Sequence, residues 1–206
     1  MFVKLCGFTQ EEDVKFVADL PVSAIGFIFY KKSLRYVSAE KARELGNIAG
    51  SSLLKVGVFV DNTVDEIKAI AERASLDMLQ LYNIETARAL QGFLPIIQCF
   101  RIKDSGFEER IDSEADFILV DTFDQQSFGG TGKTFDLALL NNCTFKKNLI
   151  IAGGINPENV SSIISKIKPF GIDLSSGIEI SPGVKSREKI IQLLLKIKEA
   201  ENDSIT

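Results

Sequence analysis

A single pattern recurs along the whole chain and constrains it more than any other feature. A short, nearly unbroken apolar run rich in β-branched residues is followed by a polar or glycine-containing break, then by an amphipathic stretch. The runs are Phe2–Cys6, Ala24–Phe29, Leu54–Val60, Asp77–Leu81, Pro95–Arg101, Asp116–Asp121, Asn148–Ala152 and Gly171–Ser175. A strand apolar on both faces has to be covered on both, the condition of parallel strands packed beneath helices. Helical spacing of apolar residues predicts those helices over Glu11–Leu20, Ser38–Ile48, Thr63–Ala74, Ile84–Gly92, Phe135–Asn141, Pro157–Ile167 and Arg187–Ala200. The break at Asp104–Ser113 carries only a weak helical signal.

Several helices mark their own starts. Ser38 and Thr63 are hydroxyl N-caps ahead of early acids, and Thr63 with Glu66 has capping-box spacing. Asn156-Pro157 pairs an N-cap with proline at the first helical position. Eight runs in 206 residues is one repeat per roughly 26 residues, the cadence of a closed (β/α)8 barrel near its minimum size. An open doubly wound sheet would stop at five or six strands and carry a glycine-rich nucleotide fingerprint, which this sequence lacks. No Pro/Gly/Ser-rich linker divides the chain, so the expectation is a single α/β barrel domain over residues 1–200 and a frayed polar tail, Glu201–Thr206.

Composition then removes function classes. The chain has no histidine, which excludes His-based triads, His-ligated zinc and imidazole acid/base chemistry together. Its three cysteines, Cys6, Cys99 and Cys143, are far apart and form no C-x-x-C pair, so neither a disulfide framework nor a thiolate metal site is expected. The natural compartment is then the reducing cytoplasm. Met1–Cys6 is too short and too soon broken by Lys4 to be a signal-sequence core, and no apolar run approaches the roughly 20 residues of a membrane span. A net charge of −4 offers no basic surface for nucleic acid or for a membrane.

In such a barrel the chemistry gathers where strands end at their C-termini. Walking those ends collects Cys6, Arg35, Asp61, Gln80, Arg101, Asp121, Gly153-Gly154 and Ser175-Ser176-Gly177. The turns holding Gly153, Gly154, Ser176 and Gly177 suit a phosphate, because small residues let backbone N–H groups approach an anion. Each residue also has a plainer reading: Cys6 as a small buried hydrophobe, Arg35 as a solvated loop charge, the glycines as turns. Asp121 is harder to dismiss, since a carboxylate closing Phe117-Ile-Leu-Val is costly unless paired or functional. Ser127–Thr134 nearly spells a nucleotide-binding P-loop but has serine at the first glycine position. Gly129–Gly132, with Gly130 touching substrate, reads better as a lid over the site.

With these segments placed, the chain resembles the phosphoribosylanthranilate isomerases of tryptophan biosynthesis over almost its full length. The resemblance rests on Val3–Thr9, Gly26–Phe29, Ser33–Val37, Val56–Val60, Gln80-Leu81, Val120-Asp121, Gly129–Asp136, Ala152–Val160, Asp173–Glu179 and Pro182–Lys185, in the family's order. It implies a TIM barrel of the ribulose-phosphate-binding type, with Cys6 as general base and Asp121 as general acid. Arg35 would hold the anthranilate carboxylate, the seventh and eighth loops the phosphate, and no metal or organic cofactor would take part. Three departures stand out. Tyr82-Asn83 replaces a usual His-Gly, Leu34 a usual proline and Ser186 a usual aspartate. The first is expected to alter a pocket wall and the second to loosen the loop carrying Arg35, while Ser186 can still cap the last helix.

On that resemblance the reaction is an Amadori rearrangement that turns N-(5′-phosphoribosyl)anthranilate into 1-(2-carboxyphenylamino)-1-deoxyribulose 5-phosphate. Asp121 would have to hold its proton near neutrality, and Cys6 would have to lose its own, helped by nearby N–H groups or by cationic side chains such as Lys4 if that residue points inward. The alternatives are a related phosphosugar isomerase or an inactive phosphosugar-binding barrel. The sequence leaves monomer and homodimer equally open.

Overall fold

The apolar runs become strands because their side chains alternate between two buried environments, the barrel interior and the layer beneath the helices. The computed structural model describes residues 1–101, 115–121 and 148–203. The strands are β1 (Phe2–Cys6), β2 (Ala24–Ile28), β3 (Leu54–Phe59), β4 (Met78–Leu81), β5 (Ile96–Arg101), β6 (Phe117–Asp121), β7 (Leu149–Ala152) and β8 (Gly171–Leu174). They pair in sequence order, all parallel, and β8 returns to β1 with Lys4 opposite Asp173, which closes the barrel. All eight runs read from sequence are strands, each within two residues of its expected ends. The fold is the single-domain (β/α)8 barrel.

Two apolar layers hold it. Outside the strands, residues such as Leu5, Ile25, Phe27, Leu79 and Val120 pack against helix residues such as Leu45, Ile67, Ile164 and Leu193. Inside, Ala24, Val56, Met78, Ile97, Cys99, Leu119, Ile150 and Ala152 form a separate cluster. Phe2, Phe117 and Phe170 stack beside it at the N-terminal end of the strands, with ring centroids 5.3–6.3 Å apart, and make the floor.

The helices among the described residues are α1 (Glu11–Val17), α2 (Ala39–Ala49), α3 (Val64–Ala74), α4 (Ile84–Ala89), α5 (Val160–Ile167) and α6 (Arg187–Asp203). The caps act as read. Ser38 accepts from the Lys41 N–H, Thr63 and Glu66 form the reciprocal box, and Ser186 accepts from the Lys189 N–H. Four expectations need correction. Helix α1 stops before Leu20, since the residue ahead of Pro21 avoids helical backbone. Helix α4 stops at Ala89, and Gly92 takes φ +78° in the turn beyond it. Asn156 caps a turn, its Oδ1 accepting from the Glu158 and Asn159 N–H groups, and regular helix α5 begins only at Val160. Glu201–Asp203 belong to α6 rather than to a frayed tail, and Glu201 is pinned by the Met1 ammonium at 2.7 Å.

One element was not foreseen. After a 3₁₀ turn (Ser176–Ile178), β9 (Glu179–Ser181) and β10 (Val184–Lys185) form an antiparallel hairpin before α6. The helix expected over Phe135–Asn141, the weak one in Asp104–Ser113, Gly130 with the lid Gly129–Gly132, and Cys143 all lie outside the described residues. So does the P-loop-like stretch Ser127–Thr134.

Candidate active site

Period-2 alternation makes each strand a short ladder of inward side chains, and the ladders end at one rim. On β1 these are Phe2 on the floor, Lys4 in the middle and Cys6 at the rim. On β6 they are Phe117, Leu119 and Asp121. On β4 the ladder runs Met78, Gln80 and then Tyr82, whose ring packs against the interior cluster. Cys6 and Asp121 therefore sit at the C-terminal mouth of the barrel on inward-facing positions of strands three apart around it. Gln80 lies one step deeper and is 3% exposed, and its buried amide oxygen has no hydrogen-bond partner among the described residues. Asp61, beyond β3, is exposed to solvent.

Cys6 is set by its neighbours on both sides. Gly26 stands beside it on β2, and a Cβ at Gly26 would lie 2.6 Å from the Cys6 sulfur. Only glycine leaves room for the thiol. Beneath it, the Lys4 ammonium is fully buried and bonds Asp173 at 2.7 Å. Lys4 does point inward, the condition on which it could assist a thiolate. Asp173 raises its pKa against the opposing cost of burial, so the side chain stays a cation. Burial pushes the Cys6 thiol up and is opposed by the positive charges of Lys4 and Lys185, while Asp173 adds to the upward push. Burial prevails, and the thiol titrates above its ordinary value.

Arg35 is not the solvated loop charge of its plainer reading. Its guanidinium grips Glu179 of β9, Nε at 3.0 Å from both carboxylate oxygens and Nη2 at 2.6 Å from Oε2. Lys185 of β10 completes the arrangement. Its buried ammonium bonds the other Glu179 oxygen at 2.7 Å and the Cys6 carbonyl at 2.6 Å, and lies 5.2 Å from the Phe8 ring centre. The Lys185 N–H donates to the buried Asp13 of α1 at 2.8 Å. Burial pushes the Glu179 carboxyl up, but Arg35 and Lys185 outweigh it and hold it below the usual carboxylate range. The hairpin thus ties the loop carrying Arg35 to the strand end carrying Cys6.

The glycine turns come together on the adjoining arc of the rim, beyond β7 and β8, the latter paired with β1. Gly153 and Gly154 both take positive φ, +88° and +63°, just beyond β7. Asn159 Nδ2 donates to the Gly154 carbonyl at 2.9 Å and fixes that turn. Gly177 packs so tightly on it that a Cβ would lie 1.9 Å from the Ile155 carbonyl oxygen. Ser176 begins the 3₁₀ turn, and the Ser175 hydroxyl below it is buried with no hydrogen-bond partner among the described residues. The two turns form one small-residue concavity whose backbone N–H groups can face an anion.

Against this geometry, the model of the N-(5′-phosphoribosyl)anthranilate isomerase family matches residues 3–196. The chain belongs to that family. It is 37% identical to the enzyme of Rubrobacter xylanophilus over 91% of this chain and 94% of that one. Among solved structures, the phosphoribosylanthranilate isomerase of Thermotoga maritima superposes with a TM-score of 0.87 at 34% identity, covering 97% of this chain and 99% of that one. A phosphoribosylanthranilate isomerase solved in complex with reduced 1-(o-carboxyphenylamino)-1-deoxyribulose 5-phosphate gives 0.83 at 32% identity, with the same coverage of each chain. The activity is the isomerisation of N-(5′-phosphoribosyl)anthranilate by Amadori rearrangement, a step of tryptophan biosynthesis.

Sequence reasoning left out Glu179, Lys185 and Asp173 as parts of the site. The signals were present. Lys4 and Asp173 are opposite charges at inward positions of the first and last strands, which any closed barrel brings together. Pro182-Gly183 is a turn dipeptide that could have marked the hairpin. The replacement of His-Gly by Tyr82-Asn83 has a clear local outcome: Asn83 Oδ1 caps α4 by accepting from the Thr86 N–H, and Tyr82 forms pocket wall. Burial, with added pushes from Cys99, Asp121, Cys6 and Asp173, holds the Tyr82 phenol protonated well above its ordinary value.

Proposed function

We propose that Cys6 and Asp121 are the base and the acid of this rearrangement. The observation that carries the reading is their placement, a thiol and a carboxyl ending the inward ladders of β1 and β6 at one mouth. Asp121 protonates the furanose ring oxygen while the anilino nitrogen pushes the ring open to a Schiff base. Cys6, as thiolate, then removes the C2′ proton. The enolamine that results tautomerises to the ketone. Each positioned proton transfer contributes about 10²- to 10⁴-fold.

Substrate is held at two ends. The turns at Gly153, Gly154, Ser176 and Gly177 take the phosphate through backbone N–H groups, which suits a protein of net charge −4 that cannot attract an anion globally. Arg35 takes the anthranilate carboxylate. Glu179 engages only its Nε and Nη2 side, so the Nη1 edge can meet a carboxylate while the ion pair fixes the plane of the guanidinium. Gln80, from below, offers an acceptor to the sugar. The relative holding the reduced product analogue supports a ligand with both an aryl carboxylate and a phosphate. The partner is this small molecule without cofactor or nucleic acid, and the compartment is the cytoplasm. No described helix is long and apolar enough to cross a membrane.

The test is loss of anthranilate fluorescence on adding purified protein to phosphoribosylanthranilate, with EDTA present. A chain without tryptophan contributes little background. Turnover in the wild type and a fall of several orders of magnitude in kcat for Cys6→Ala and for Asp121→Asn are expected. Near-normal turnover in Cys6→Ala would overturn the assignment of the base.

A further inference from the structure

The ion pair of Lys4 and Asp173 sits directly below the thiol, and beyond the help that Lys4 could give a thiolate the rearrangement as derived assigns the pair no part. Such a pair is an unusual thing to bury. Lys4 is 0% exposed and Asp173 7%, in a layer where the other strands supply residues such as Val56, Ile97 and Ile150. A structural pair of this kind is commonly no better than apolar residues of the same volume, because the desolvation of two charges offsets their attraction. The pair is also incompletely satisfied, since Asp173 Oδ2 takes the ammonium while Oδ1 is buried with no hydrogen-bond partner among the described residues. Lys4 and Cys6 are i and i+2 on β1, so their side chains rise on the same face.

We propose that the Lys4–Asp173 pair is a positioning device that sets how readily Cys6 becomes a thiolate, with Lys4 favouring the anion and Asp173 restraining it by holding the ammonium. This rests on Cys6 being the base. Ionisation sends the thiol proton to water and leaves negative sulfur beside a permanently protonated Lys4. The charged or titratable groups around the sulfur on the other elements are Lys185 on β10, Arg35 in the loop after β2, Tyr82 after β4 and Cys99 on β5, with Asp121 at the end of β6. Of these, Lys185 and Arg35 are already committed to Glu179. Lys4 is the cation aimed at the sulfur from below, and its carboxylate partner is the one nearby acid whose charge opposes the thiolate from the same layer. The directions in which these two charges move the thiol agree with the geometry, Lys4 down and Asp173 up.

The opposite signs make the idea testable by variants that a general loss of packing cannot imitate. Alkylation of Cys6 by iodoacetamide is followed across pH by peptide mass spectrometry in the full chain, with circular dichroism to verify folding. The variants are Asp173→Asn, Lys4→Met and the double change, in which no buried charge is left without its partner. The midpoint of thiol ionisation is expected to rise in the order Asp173→Asn, wild type, double variant, with Lys4→Met level with the double variant or above it according to whether the unpaired, buried Asp173 takes up a proton. Each single variant should differ from wild type by about one pH unit, or about tenfold in alkylation rate on the acid side. If Lys4→Met does not fold, the order of the other three decides. Midpoints that coincide, or that shift in the same direction for Asp173→Asn and the double variant, would overturn the proposal. Alkylation needs no turnover. An active Cys6→Ala enzyme with the midpoint order intact would therefore refute the base assignment alone, and an inactive one with coincident midpoints would refute only the role of the pair.

Discussion

Adding one methyl group at Gly26 should test whether the position of the Cys6 thiol matters to catalysis. In Gly26→Ala the new Cβ would stand 2.6 Å from Cys6 Sγ, 3.1 Å from its Cα and 3.2 Å from its Cβ. Non-bonded carbon atoms ordinarily stand about 3.5–4.0 Å apart, so all three separations are too short. Rotating the thiol away relieves only the first. The clash with the Cys6 backbone remains, and relieving it means separating β1 from β2 where Cys6 and Gly26 are paired in register. Forcing a methyl into a close-packed site costs about 1–3 kcal/mol. At this chain length that lowers Tm by about 2–12 °C, taking about 2–4 °C per kcal/mol. The chemical penalty should be larger. A base displaced by about 1 Å from its proton loses on the order of 10²-fold in rate. The assay pairs a thermal melt with kcat and KM from anthranilate fluorescence, and the expected outcome is a large fall in kcat with KM little changed, since the phosphate turns and Arg35 are untouched. Wild-type kcat with a lowered Tm would show that the thiol can move without consequence and would refute the reasoning that places it at the reacting carbon.

Other outcomes follow from the same geometry. Arg35→Met should raise KM strongly with a smaller effect on kcat, and an unchanged KM would remove Arg35 from the carboxylate site. Glu179→Gln should also raise KM, because the guanidinium plane loses its bidentate anchor; measuring KM for both variants and for the pair should show them non-additive. Because Glu179 titrates below its unfolded value, its stabilising contribution is fully present above about pH 4.3 and is lost as pH falls through the lower folded value. Acid unfolding followed by circular dichroism should accordingly begin at higher pH, and flatten, in Glu179→Gln. The raised Cys6 thiol puts a limb on kcat/KM that rises with pH, since the thiolate is the active form, and a profile flat from pH 6 to pH 9 would contradict this.

Much of the fold was legible because its signals are local. A run such as Ile118–Val120 is apolar on both faces wherever it lies in space, and parallel strands between helices are the arrangement that buries both. Cap residues act within three positions of themselves, which is why Thr63 and Ser186 behave as read while the ends of α1 and α4 do not. The end of a helix depends on competing turns and on what the next segment packs against. The pleat of those strands, which the unbroken runs did not reveal, places Cys6 and Asp121 at inward rim positions. Partners across the chain were another matter. Arg35 was singled out for the anthranilate carboxylate, but nothing within its own loop foretells Glu179, 144 residues away.

Sequence alone determined the repeat and, through the family motifs, pointed to the thiol, the carboxyl and the small-residue turns. Tertiary structure decided what surrounds them: that closure of β8 on β1 sets Asp173 against Lys4, 169 residues apart, under the thiol, and that a hairpin of five strand residues binds Arg35 and Cys6 into one network. The reason is physical. Alternation and capping are properties of neighbours along the chain, whereas the cost of a buried charge is settled only by which distant group arrives to meet it.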